Sequence, residues 1–117
     1  MCKVKNMSEP KFINKGNEEK EGMYCIIRTE NAGVFAGTLL SMDDNMRVAE
    51  IKDSRRLWYW DGAASLSQLA MEGTKKPDNC KFPCVVPEMK VYEVIEVIPC
   101  TKEAYKSIMA VPIWEVE

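Results

Sequence analysis

RRLWYWDGAASLSQLAMEGTKKPDNCKFP, residues 55–83, passes from strand to helix to loop within one short stretch. It opens on two arginines and three aromatic rings, Arg55-Arg56-Leu57-Trp58-Tyr59-Trp60. In a pleated strand alternate side chains point to opposite faces, so Arg56, Trp58 and Trp60 share one face and Arg55, Leu57 and Tyr59 the other. A guanidinium beside two indoles suits a planar anion, because Arg offers a fork of donors to phosphate while flat rings stack on a base. The same residues suit a core, with the arginine stems covering buried tryptophans. Residue types alone leave both open. Asp61 then caps an Ala-, Leu- and Met-rich helix from Ala63 to Glu72, and Gly73 stops it. Lys75 to Asn79 is a loop, and Phe82 beyond it is either a plug beneath the turn or a stacking lid.

Outward from this stretch, the upstream sequence is a series of β-type runs. Met23 to Thr29, Val34 to Met42, Met46 to Ile51 and Arg55 to Trp60 alternate with turn residues and predict an antiparallel meander. Gly37 inside the second run marks a bulge or a close approach. Downstream, Cys84 to Ile98 reads as a long strand broken near Pro87, and Thr101 caps a second helix from Lys102 to Ala110. Ile113-Trp114 closes the chain as a last strand or packed tail. The fold class is α+β: an antiparallel sheet of about five or six strands with two short helices. Residues 1–22 read as a poorly ordered N-terminal arm and 23–117 as one domain.

The length of 117 residues suits a single domain with its own core. A formal charge of −2 argues against a DNA partner, whose phosphates call for a basic surface. The chain has no histidine, which removes the usual general base and any Ser-His-Asp or Cys-His device. Its five cysteines, an odd number without a secretory signal, favour a reduced set over a disulfide framework. Cys80 and Cys84 have no second close pair, so no metal site is expected. No run approaches the roughly 20 apolar residues of a membrane span, and a soluble, intracellular protein is the expectation.

No phosphate loop, dinucleotide fingerprint or nucleophile elbow is present, so neither a cofactor nor a reaction is expected. Binding remains. Arg55, Arg56, Lys75, Lys76 and Lys81 flank Trp58, Trp60 and Phe82, while Asn79 and Gln68 carry donors and acceptors that can read a base edge. The other class that fits is a non-catalytic structural or protein-interaction module with an aromatic surface. Three tryptophans, four tyrosines and three phenylalanines in so small a chain also point to rings at a subunit interface and hence to a homo-oligomer, a dimer or a multiple of it.

GVFAGTL (33–39), RRLWYWDGAASLSQLA (55–70), the loop with Pro77, Asn79, Cys80, Lys81 and Phe82, EVIEVIPCT (93–101) and VPIW (111–114) resemble a family of small phage and prophage proteins. This family includes the first-type Thoeris anti-defence proteins. The resemblance implies a sponge that binds and sequesters a cyclic adenine-nucleotide immune signal, a cyclic ADP-ribose isomer, without degrading it. Cyclic oligonucleotides are a second ligand class for some members. It also implies homo-oligomers acting in the host bacterial cytoplasm. Carried over by position, it implies Arg55, Arg56 and Phe82 as first ligand contacts and Trp58, Trp60 and Asn79 next, with Arg28 and Lys106 at a second anionic site.

Overall fold

The computed structural model describes residues 10–13, 21–45 and 47–116. Five antiparallel strands, β1 (Tyr24–Thr29), β2 (Val34–Met42), β3 (Ala49–Arg56), β4 (Val86–Val91) and β5 (Val94–Pro99), form one sheet in the order β4-β3-β2-β1-β5. Two helices, α1 (Leu66–Glu72) and α2 (Lys102–Ala110), complete an α+β fold. β4 and β5 are separated only by Tyr92 and Glu93, yet they lie at opposite edges of the sheet. In a flat sheet those edges would be about 19 Å apart, at roughly 4.8 Å per strand. Two linking residues reach no more than about 11 Å. The sheet must therefore curl until its edges meet at this link, where Glu93 takes the left-handed φ of 57° and Val94 N donates to Arg47 O at 2.9 Å.

The curl gives the sheet two buried faces. Met23, Cys25, Ile27, Phe35, Leu39, Ile51 and Val91 fill the inside. Tyr24, Ile26, Ala36 and Leu57 face the helices and pack on Leu69, Ala104 and Ile108. β1 serves both clusters, which is why its run Tyr24-Cys25-Ile26-Ile27 is apolar at every position.

Several boundaries differ from those expected. The third run continues through Arg55 and Arg56 as one strand, β3, and the expected fourth strand stops there, leaving Leu57 to Trp60 outside it. Lys52-Asp53-Ser54 is a bulge rather than a connection, because Lys52 pairs with Thr38 and Arg55 with Ala36, so two residues face Gly37 alone. Asp53 sits there at φ 50°, and a Cβ on Gly37 would lie 2.8 Å from Ser54 Cβ, so the bulge requires glycine opposite. Met46, the expected start of the third strand, lies outside the described residues. Cys84 to Ile98 is two strands, and Pro87 is tolerated because β4 is an edge. Helix α1 begins at Leu66 with Ser65 as its cap: Ser65 Oγ accepts from Gln68 N at 3.2 Å while Gln68 Oε1 accepts from Ala64 N at 2.7 Å. Helix α2 has its expected bounds and its Thr101 cap. Lys11 bridges Met23, and Ile13 N donates to Cys100 O at 3.0 Å, so residues 10–13 dock on the sheet; residues 1–9 and 14–20 of the expected arm lie outside the described residues.

Candidate functional site

Arg55 and Phe82, first among the expected ligand contacts, belong to the interior. Arg55 is 1% exposed and Phe82 0%. The Arg55 guanidinium donates to four carbonyls: Pro83 at 3.0 Å through Nε, Ile108 at 2.8 Å and Val111 at 2.9 Å through Nη1, and Phe82 at 2.7 Å through Nη2. All three nitrogens are thus committed, and burial pulls the guanidinium below its ordinary pKa. Phe82 packs with Leu57, Leu69 and Ile108 in the helix-facing core. Neither residue presents a surface to a ligand, so both are corrected from ligand contacts to structural residues.

The next residue behaves oppositely. Arg56 points to the other side of β3 and is exposed. Its Nη1 donates to Ala32 O at 2.7 Å, and its Cζ lies 4.5 Å from the centroid of the Phe35 ring. Ala32 belongs to the β1–β2 turn, which Thr29 shapes by accepting from Ala32 N at 3.0 Å and donating to Gly33 O at 2.8 Å. Gly33, at φ 103°, supplies the conformation that turns the chain back. Asn31, Ala32, Val34, Arg56, Trp58 and Trp60 line one open cleft of about 350 Å³. That volume falls within the roughly 300–1,000 Å³ range of small-molecule sites. The structure thus brings together Arg56, Trp58 and Trp60 although the strand ends at Arg56. Trp58 is 58% exposed, whereas Trp60 is half-buried against the core.

Sequence reasoning missed a second group beside the cleft. Trp58 stacks on Trp114, with centroids 5.2 Å apart and planes 20° from parallel. Lys81 Nζ lies 5.2 Å from the Trp58 centroid, 5.6 Å from Trp114 and 5.9 Å from Tyr59. Backbone pairing sets this arrangement: Lys81 N donates to Tyr59 O at 2.8 Å and Trp114 N to Phe82 O at 3.1 Å. The VPIW tail was the available signal, since an aromatic ring there has to pack on something.

The remaining candidates lie elsewhere. Asn79 Nδ2 donates to Asp61 Oδ2 at 3.1 Å, in the loop after α1, and is not part of the cleft. Arg28 pairs with Glu96 at 2.9 Å on the β1–β5 surface, and Lys106 is exposed on α2. Arg28 and Lys106 do not line the cleft either. Among the described residues no cluster of His, Cys, Asp and Glu fits a metal ion. Cys25, Cys80 and Cys100 are buried, and burial pushes the Cys100 thiol up. Among the described residues no helix is long and apolar enough to cross a membrane.

Residues 22–108 match the family described as a domain of unknown function, DUF6948. The chain belongs to this family. No curated protein and no solved structure matches it. The DUF6948 segment contains the whole cleft, from Asn31 to Trp60, and leaves Trp114 outside.

Proposed function

We propose that this DUF6948 protein is a non-catalytic binding module that takes up and sequesters a cyclic adenine nucleotide, of the cyclic ADP-ribose class, in the cleft between the β1–β2 turn and Arg56. One observation carries the proposal: an exposed guanidinium and two indoles line the same open cleft. Arg56 uses Nη1 on Ala32 and has no other hydrogen bond among the described residues, so its remaining donors can meet a phosphate. Trp58 offers a flat face to the base. Such a site holds its ligand by stacking and charge, and needs neither base nor nucleophile. The resemblance to Thoeris anti-defence proteins gives this uptake its purpose, removal of an immune signal in the bacterial cytoplasm. The exposed rings of Trp58, Tyr59 and Trp114 support a homodimer or a multiple of it as the working form.

Exposed rings also fit the alternative class, a structural or protein-interaction module that takes up no nucleotide. The protein is incubated with cyclic ADP-ribose isomers, separated from free ligand, then heated. Release of intact ligand is the expected result. An altered product would make it an enzyme, and no uptake would favour the interaction module.

A further inference from the structure

We infer that Trp114 is a positioning residue that fixes the Trp58 ring at the cleft, and that buried Arg55 holds the strap carrying Trp114. Trp58 follows the end of β3 and is more than half exposed, so an indole at that position has few neighbours to fix its rotamer. Trp114 supplies the missing support. Its ring lies within 20° of parallel to Trp58 with centroids 5.2 Å apart, an offset stack that gives the Trp58 ring a flat neighbour to rest on. Lys81 braces the pair, with its ammonium 5.2 Å from one ring and 5.6 Å from the other.

The strap from Val111 to Trp114 is anchored from inside the protein. Val111 O accepts from Arg55 Nη1 at 2.9 Å. Phe82 O accepts both from Arg55 Nη2 at 2.7 Å and from Trp114 N at 3.1 Å. Ile113 pairs with Phe82 in parallel register. One guanidinium therefore holds the start of the strap and the carbonyl on which Trp114 docks. Arg55, which no ligand can reach, acts on the cleft through the backbone of 111–114 and the ring of Trp114. This relay rests on the nucleotide proposal only for its effect on uptake.

The test uses 5-fluorotryptophan in the full chain, whose three tryptophans give three fluorine resonances, with Trp58 assigned by Trp58→Phe. In Trp114→Ala the Trp58 resonance is expected to shift and sharpen as the ring gains freedom, while that of Trp60 stays in place. Trp114→Phe, which keeps a flat ring, is expected to restore Trp58. Should Trp114→Ala melt early, Trp114→Leu keeps apolar volume without the ring and gives the same comparison. Uptake of cyclic ADP-ribose by Trp114→Ala is expected to weaken about two- to tenfold, the worth of one aromatic pair. An unmoved Trp58 resonance overturns the inference, as does unchanged affinity beside a wild type that binds. A wild type that takes up nothing defeats the nucleotide proposal, and the fluorine spectra still decide whether Trp114 positions Trp58.

Discussion

Arg55 Nη1 donates to the Val111 carbonyl at 2.9 Å, tying β3 to the residue that caps the end of α2. The guanidinium has no carboxylate partner among the described residues; four carbonyls accept from it, and its Cζ lies 5.6 Å from the centroid of the Phe82 ring. Ile108 O and Val111 O lie at the C-terminal end of α2, where unpaired carbonyls carry partial negative charge, and this end of the helix dipole offsets part of the cost of burying a cation. The side chain thus clamps sheet, loop and helix at one point.

Arg55→Ala is expected to destabilise the fold by about 2–6 kcal/mol, since it leaves the Pro83 and Val111 carbonyls without their donor, while Phe82 O keeps Trp114 N and Ile108 O keeps Val111 N. Arg55→Lys should lose most of the same stability, because a single ammonium cannot reproduce a planar fork across four acceptors. Urea denaturation measures both. An unchanged midpoint for Arg55→Lys would show that the clamp matters less than its geometry suggests.

Phe82→Ala should cost about 3–5 kcal/mol, the range for emptying an aromatic site in a core. Nucleotide uptake at a temperature where the variant is partly unfolded should then follow the folded fraction. A variant that melts like the wild type yet loses affinity would return Phe82 to the ligand surface.

Much of this architecture was legible in local sequence, and the misses share a cause. Helix α2 has a hydroxyl cap, an apolar pair at Ala104 and Ile108 and a following proline, all local signals, and its bounds agree with expectation. Lys52-Asp53-Ser54 carries turn-type residues, but a bulge uses them as readily as a turn does, and only pairing with β2 tells the two apart. Asp61 resembles a cap, yet Ser65 with Gln68 three residues later satisfies the helix more completely. Arg56, Trp58 and Trp60 do line one cleft, but not through the pleat expected of them, since β3 ends at Arg56 and Trp60 packs on the same core as Leu57. The role of Arg55 was not legible, because its acceptors at Ile108 and Val111 are more than fifty residues away. Trp114 was missed for the same reason: its partner Trp58 is also more than fifty residues away.

Asp61 gives a prediction in pH. Asn79 Nδ2 and Gly62 N donate to its carboxylate at 3.1 and 2.8 Å and hold it below the usual carboxylate range, Asn79 being the larger cause. A carboxyl whose folded pKa is depressed adds stability above its unfolded pKa, about 3.9 for Asp, and loses it as the pH falls through the lower folded value. Asn79→Ala should therefore move Asp61 back toward its ordinary pKa and flatten the acid loss of stability below about pH 4. A carboxyl NMR titration reads the first effect and melting at graded pH the second. Uptake at neutral pH should be unaltered, since Asn79 lies away from the cleft, and a marked loss there would restore it as a ligand contact.

Arg56 offers the sharpest contrast with its neighbour. Its side chain is exposed, and its contacts are one hydrogen bond to Ala32 and the face of Phe35. Arg56→Ala should lower stability by no more than about 1 kcal/mol, the worth of an exposed cation–π contact. Removing a charged donor from a phosphate costs about 1.5–3 kcal/mol, so uptake of cyclic ADP-ribose should weaken roughly ten- to a hundredfold. The ratio between wild type and variant should shrink as salt rises, because an exposed charge is screened within about 8 Å at physiological ionic strength. Arg56→Lys should fall between them, keeping the charge and losing the fork. Paired melting and calorimetric titrations at two salt concentrations decide the matter. A ratio that does not respond to salt, or a loss of affinity explained by unfolding, would mean that the guanidinium steadies the Ala32 turn and does not meet a phosphate.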